Sequence, residues 1–297
     1  MFFKDKNWNG FDLVKIPARG EKKTQNAYFY AGSRGAPLLV SLHTWAGSYA
    51  QQDPLARLAK DENWNYIHPD FNGPNNSPDA CMSGAAIQSI DAAVSFALEN
   101  SSPDKNKIAI AGLSGGGSAV LCAFLKSSYK LKYCMAWAPV TCLPMWHNQS
   151  KHAKNEYWRD IEKSTSSKGG LNEEEAKKRS PLHMTPKSKD LCYLDIYAGL
   201  NDGYTGTVSV LHSILFYNKI MGCFNSAGDA VNERETTNLL SRNINPETNE
   251  YLWGGGGDKR KLFYKKENSH AGLFIFEGAH EILPHFAFSR IKKQIGA

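Results

Sequence analysis

Apolar residues in this chain follow two rhythms. Short solid runs, such as Leu38-Leu39-Val40-Ser41-Leu42 and Leu273-Phe274-Ile275-Phe276, stop abruptly in a polar or glycine-containing turn. A run of that length with no polar face predicts a strand covered on both sides of a sheet. The same pattern predicts strands over 64–68, 107–111, 132–138 and 191–198. Two short entry strands are expected over 14–16 and 26–30, separated by a polar turn at 19–24. The second rhythm is helical. Ile87, Ile90, Ala93, Val94 and Ala97 lay one apolar stripe on a helix over 85–98. Helices are predicted likewise over 53–60, where Pro54 suits a first turn, and over 118–126, 208–217 and 282–294.

Strand and helix therefore alternate through most of the chain. That order predicts an α/β fold, a mostly parallel sheet of about eight strands with helices on both faces. Two stretches break the alternation. Residues 143–185 are largely polar, although they hold Trp146, Tyr157 and Trp158, and the charged run at 173–179 reads as a solvated helix or loop. Residues 225–257 are loop-rich and end in glycines 254–257. Neither has the apolar content for a core of its own. The expectation is one domain over 1–297 with lid-like insertions near 143–185 and 225–257.

Composition narrows the class. Of the 297 residues 41% are hydrophobic and 22% charged, which suits a globular protein with a sizeable core. The net charge of +6 is spread thinly, and its densest clusters are the triplets Lys177-Lys178-Arg179 and Lys259-Arg260-Lys261. Triplets fall short of the basic stripe that a nucleic acid needs, so no such partner is expected. No segment reaches the roughly 18 apolar residues of a membrane span. The first sixteen residues have neither an apolar core nor a small-residue cleavage site, so they do not read as a signal peptide. The chain as it stands points to the cytoplasm; a leader removed earlier would make it periplasmic or secreted. Cys81, Cys122, Cys134, Cys142, Cys192 and Cys223 form no CxxC pair and read as free thiols, mostly buried. The alternatives are disulfides joining Cys134 to Cys142, or Cys81 to a partner.

The candidate chemistry lies where strands end. The run over 107–111 turns through Gly112-Leu113-Ser114-Gly115-Gly116 straight into a helix-capable segment. Small residues two before and two after the serine permit a very sharp strand-to-helix bend, which exposes the hydroxyl at the sheet edge. The next amide opens a helix, where free N–H groups and the dipole favour negative charge. A serine hydroxyl needs a base, and the base needs a third group to hold its tautomer. Asp202 follows the strand over 191–198 in Gly199-Leu200-Asn201-Asp202-Gly203, and His280 follows the last strand in Glu277-Gly278-Ala279-His280. Each functional type thus sits beyond its own strand, at the end where α/β sheets gather their ligands. The rivals are weaker. Asp195 lies inside a strand, and Asp229 and Asp258 lie in or beside a polar loop. His270 and His285 suit a surface loop and a helix face, and His212 a structural helix position.

Those three motifs, in the order Ser, Asp, His, resemble the α/β-hydrolases, and within them the prolyl-oligopeptidase-like branch that includes many carbohydrate esterases. The likeness runs from about residue 38 to the C-terminus, outside both insertions. It implies a Ser114-His280-Asp202 triad working through an acyl-enzyme. It also implies an oxyanion hole built from the Gly115 amide and an amide of the loop after residues 38–42. Relatives carry a His-Gly-Gly-like turn there. This chain has His43-Thr44-Trp45, which leaves Thr44 or Trp45 as the second donor, with Trp45 preferred. Trp45, Trp146 and Tyr204 are the candidate substrate-binding residues, since loop aromatics stack on sugar rings, and the asparagines of 72–76 are candidates for bonding hydroxyls. The expected substrate is a small-molecule or saccharide ester, and the expected activity is ester hydrolysis. A serine peptidase of the same type is the alternative. It is disfavoured because such peptidases carry a large N-terminal propeller, and about 36 residues precede the first core strand. A non-catalytic binding protein is the third reading. No metal cluster or cofactor motif competes, and the glycines at 115–117 lack the Lys-Ser/Thr of a phosphate loop.

Overall fold

The computed structural model describes residues 8–20, 23–166, 168–246 and 249–297. Residues 1–7, part of the turn at 19–24 and single positions within both insertions lie outside it. In chain order the strands are β1 (Asp12–Pro17), β2 (Thr24–Tyr30), β3 (Leu38–Leu42), β4 (Asn65–Pro69), β5 (Ile108–Leu113), β6 (Tyr133–Trp137), β7 (Tyr193–Gly199), β8 (Tyr251–Gly255), β9 (Asp258–Glu267) and β10 (Ala271–Phe276). The helices are α1 (Pro54–Asp61), α2 (Gly84–Ser101), α3 (Gly115–Lys126), α4 (Leu143–His152), α5 (Tyr157–Thr165), α6 (Glu173–Arg179), α7 (Val210–Cys223), α8 (Glu233–Ser241) and α9 (Pro284–Ile295).

Among the described residues the strands form one ten-stranded sheet of order β1-β2-β4-β3-β5-β6-β7-β10-β9-β8. The six central strands, β4 to β10 in that order, run parallel. Antiparallel strands close both edges. The α/β class and the mostly parallel sheet are as the sequence predicts. The count is not: the sheet has ten strands rather than eight. The two additional ones are the β8–β9 hairpin. Strand β9 is rich in Lys and Arg, and only Leu262 and Tyr264 turn fully inward. Two inward residues are too few to register as alternation. Because β8 pairs only with the first part of β9, the rest is a sheet edge, where charged side chains block unwanted pairing.

The solid apolar runs are explained by coverage of both faces. In β3, Leu38, Val40 and Leu42 join one core while Leu39 joins the other; in β5, Ile108 and Ile110 oppose Ala109 and Ala111. The first core is capped by α2, α3 and α7, and the second by α1 and α9. Local signals fix the helix starts: Asp53 Oδ1 accepts from Leu55 N ahead of Pro54, and Ser83 Oγ accepts from Ala86 N.

The insertion over 143–185 differs from its expectation. It is helical, and Trp146, Ile161 and Ala176 are fully buried in the first core. The segment needs no core of its own because it shares the main one. Only α6 carries the anticipated solvated charge, with Asn172 as its cap. All six cysteines are free. Cys134 faces Cys192, just ahead of the neighbouring strand β7, at 3.5 Å, whereas Cys142 Sγ lies by His183 Nε2 at 3.7 Å, so the suggested Cys134–Cys142 pair is absent. Among the described residues no helix is long and apolar enough to cross a membrane.

Candidate active site

Strand β5 delivers Ser114 in a conformation that ordinary residues avoid, with φ 59° and ψ −120°. A bend this tight needs bare backbone beside it. A Cβ on Gly112 would stand 2.5 Å from Gly116 C, and one on Gly116 would run into Leu42 O. Ser114 N donates to Trp137 O at 2.8 Å, which ties the bend to the end of β6. Ser118, one turn into α3, braces it from below: its amide and hydroxyl both reach Ser114 O, and its hydroxyl accepts from Val140 N.

Two strands over, the turn after β7 presents Asp202. Its side chain is fully buried and has three donors around it. Oδ1 accepts from Gly203 N and Val208 N, each at 3.0 Å, and Oδ2 faces His280 Nδ1 at 2.8 Å. A carboxylate only accepts, so Nδ1 carries the proton and Nε2 keeps its lone pair. Main-chain bonds from Leu200 N to Phe276 O and from Asn201 N to Gly278 O set the Asp202 and His280 turns side by side. Gly206 closes over both, and a Cβ there would strike Asp202 Oδ1 and approach His280 Cβ to 2.8 Å. His280 is partly open, with its side chain 20% exposed, while Ser114 is 6% exposed. Ser114 Oγ has no hydrogen bond among the described residues. Bonds of this kind commonly tighten only when substrate is bound.

The turn after β3 approaches α3 from the other side. A Cβ built on Gly115 would lie 2.6 Å from Trp45 Cα and 2.7 Å from Trp45 N, so this loop passes directly across the helix start. Thr44 N and Oγ1 are both taken by Gln51 Oε1, at 3.0 and 2.7 Å. Among the described residues the Trp45 amide has no such partner, which leaves it free to donate. His43 is buried, stacks on Phe71 and places Nδ1 and Nε2 each 2.9 Å from a carbonyl, of Thr44 and Asp70. Burial depresses its pKa to about 4, so near neutrality it is an uncharged ring.

The rivals fall elsewhere. Asp195 is fully buried on the far face of β7, bonded to Tyr133 and Tyr197 and bridged by Arg290 Nε at 2.8 Å. Desolvation pushes its pKa up, and Arg290 pulls against that. His212 is a buried structural histidine between Thr141 N and Gln149 Oε1. His270 stacks on Phe224, Asp229 accepts from Asn268, and Asp258 pairs with Arg260. His285 is an exposed helix residue.

The aromatic candidates are placed differently from the expectation. Trp146 is fully buried, stacked on Tyr157, with Nε1 donating to Thr207 O; it offers no open face to a sugar. Trp45 is 2% exposed, meets Trp146 edge-on and donates from Nε1 to Asp160 Oδ2 at 3.2 Å. Tyr204 is exposed, but the Arg242 guanidinium covers its ring at 3.9 Å. Of the asparagines at 72–76, Asn72 and Asn75 are buried and spend their amides on the protein's own main chain. Gln51 and Asp160 shape the site without any sequence signal, and Asn75, expected to meet substrate, bonds the protein instead, because each acts on a loop distant in the chain.

Comparison with known proteins now has a geometry to rest on. Residues 83–219 match the family model described as the prolyl oligopeptidase family. No curated protein sequence matches the chain. Solved structures do. The acylaminoacyl peptidase of Pyrococcus horikoshii is similar over 97% of this chain and 41% of its own, with 15% identity and a TM-score of 0.60. A puromycin hydrolase is similar over 96% and 38%, with 11% identity and a TM-score of 0.62. The dipeptidyl peptidase 4 of Porphyromonas gingivalis is similar over 72% and 30%, with 18% identity and a TM-score of 0.54. The chain thus spans about two fifths or less of the structures it matches. It has the α/β-hydrolase-like fold of these peptidases, and its segment from α2 to α7 carries the sequence pattern of the prolyl oligopeptidase family.

Proposed function

We propose that this protein is a serine hydrolase of the prolyl-oligopeptidase type that cleaves an acyl bond, with a peptide amide as the leading substrate class. The observation that carries the reading is the Asp202–His280 bond at the same end of the parallel strands as the strained Ser114 elbow. In this reading Ser114 Oγ attacks the acyl carbon and passes its proton to His280 Nε2. Asp202, held by two amides and the ring, stabilises the resulting imidazolium. The oxyanion is received by the Gly115 and Trp45 amides. His280 then protonates the leaving amine, and a water, deprotonated by the same ring, releases the acyl group from Ser114.

The choice of amide over carbohydrate ester rests on two supports. The family match and two of the three similar structures reported carry peptidase names. The residues that had suggested a sugar, Trp45, Trp146 and Asn75, are engaged inside the protein. The length of chain ahead of the first core strand does not decide between the two substrate classes. The test is covalent. A serine-directed fluorophosphonate should add one label to the wild type and none to Ser114→Ala, which should lose all turnover at an unchanged Tm. Parallel assays on aminoacyl anilides and on acetylated saccharides decide the substrate. Turnover of the esters alone would restore the ester reading.

A further inference from the structure

The amide that the proposed mechanism asks of Trp45 sits in a loop with no glycine pair to shape it. Something else must hold its direction. The peptide that carries it ends in Thr44 O, which accepts from Gly47 N at 3.1 Å and faces His43 Nδ1. The next carbonyl, Trp45 O, accepts twice from one residue: Asn75 N at 2.9 Å and Asn75 Nδ2 at 3.1 Å. Asn75 lies thirty positions away, in the turn after β4, and is 1% exposed.

Every polar group of Asn75 is engaged. Its Oδ1 accepts from Cys81 N at 2.9 Å, and its carbonyl accepts from Ser164 Oγ of α5 at 3.2 Å. Its Nδ2 also stands 3.0 Å from the point that a Gly115 Cβ would occupy. One buried amide therefore touches both loops that supply the oxyanion donors. A saccharide-binding asparagine would keep its amide free for ligand, and this one does not.

We propose that Asn75 is the positioning residue of the oxyanion hole: it clamps Trp45 O so that the Trp45 amide converges with that of Gly115. The inference rests on the serine-hydrolase reading. Asn75 makes no bond to substrate, so its loss should act on the transition state through the misaligned donor and leave ground-state binding alone. A donor displaced by an ångström or lost outright costs on the order of 100-fold.

The test uses Asn75→Ala and Asn75→Asp in the full chain. Asn75→Asp is isosteric and keeps the acceptor for Cys81 N while replacing the donor to Trp45 O. Four quantities are read: phosphonate labelling of the wild type, kcat and KM, Tm, and the inhibition constant of a boronic acid that mimics the tetrahedral intermediate. The clamp predicts that kcat falls about 10- to 100-fold, that the boronate weakens by the same factor, and that KM stays within about twofold. It also predicts that Asn75→Asp regains activity relative to wild type as pH falls, because a protonated carboxyl again donates to Trp45 O. If Asn75→Ala does not fold, Asn75→Asp carries the decision alone. Unchanged kcat and boronate affinity, with or without a lower Tm, overturn the clamp while leaving the serine hydrolase standing. A wild type that takes no phosphonate overturns both.

Discussion

Ser114 can hold its left-handed conformation only because Gly112 and Gly116 leave room, so the proposed nucleophile is a property of three residues. Gly116→Ala should push Leu42 away and destabilise the fold by several kcal/mol, seen as a lower Tm together with loss of phosphonate labelling. The two carboxylates near the end of β7 separate function from structure. Asp202→Asn keeps the shape but no longer stabilises an imidazolium, and turnover should fall about 10^3- to 10^4-fold at an almost unchanged Tm. Asp195→Asn weakens the pair with Arg290, which is half-buried and keeps Glu267, and should cost about 1–3 kcal/mol of stability. The enzyme that remains folded should keep most of its kcat. The reverse ranking of these two variants would remove Asp202 from the mechanism. Ser114, Asp202 and His280 were legible because each follows an apolar run and sits in a glycine-containing turn. That Gln51 folds back onto Thr44 and leaves the Trp45 amide unoccupied among the described residues was not legible, since the two loops meet only in the fold.

At the scale of elements, the insertion over 143–185 behaves as a brace. Its helix α4 holds the turn after β7 through Trp146 and Thr207, and α5 holds the loops after β3 and β4 through Asp160 and Ser164. Helix α6 reaches the turn after β4, where Arg179 Nη1 donates to Pro78 O at 2.8 Å and to Ala80 O at 3.1 Å. Arg179→Ala takes the donor from Pro78 O, while Ala80 O keeps Ser83 N, and should destabilise by about 1–2 kcal/mol. Hydrogen exchange should then quicken at Ala80, Cys81 and Ser83 ahead of the central strands; equal protection there would deny the brace. Polar residues dominated this stretch in the sequence because one stripe per helix faces the core, and stripes of two or three residues are hard to see. Strand β9 was missed for the same reason.

Across the whole molecule, burial of neutral histidines ties stability to pH. His212 accepts Thr141 N at Nδ1 and donates from Nε2 to Gln149, so a second ring proton would point at an N–H donor. Burial depresses its pKa from 6.5 to about 3, and that of His43 to about 4. The unfolded chain takes up these protons near pH 6.5, whereas the folded chain resists until about 3 to 4. The contribution is therefore complete above about pH 6.5 and is lost as pH falls towards 3. Tm should drop by at least about 5 °C between pH 7 and pH 4, and His212→Asn should flatten the slope. A slope unchanged by His212→Asn would deny this origin.

What the sequence determined by itself was local and periodic: the two-faced apolar runs that give a parallel sheet, the helical stripe over 85–98, and the glycine turns at the strand ends. These depend on neighbours within a few residues, so they survive reading along a line. The tertiary structure alone decided which loops meet. It placed the Trp45 amide against Gly115, turned Trp146 and Asn75 inward, and added β8 and β9 to the sheet. Those outcomes hang on hydrogen bonds between residues tens of positions apart, whose partners are chosen by the sheet's strand order and leave no period in the chain.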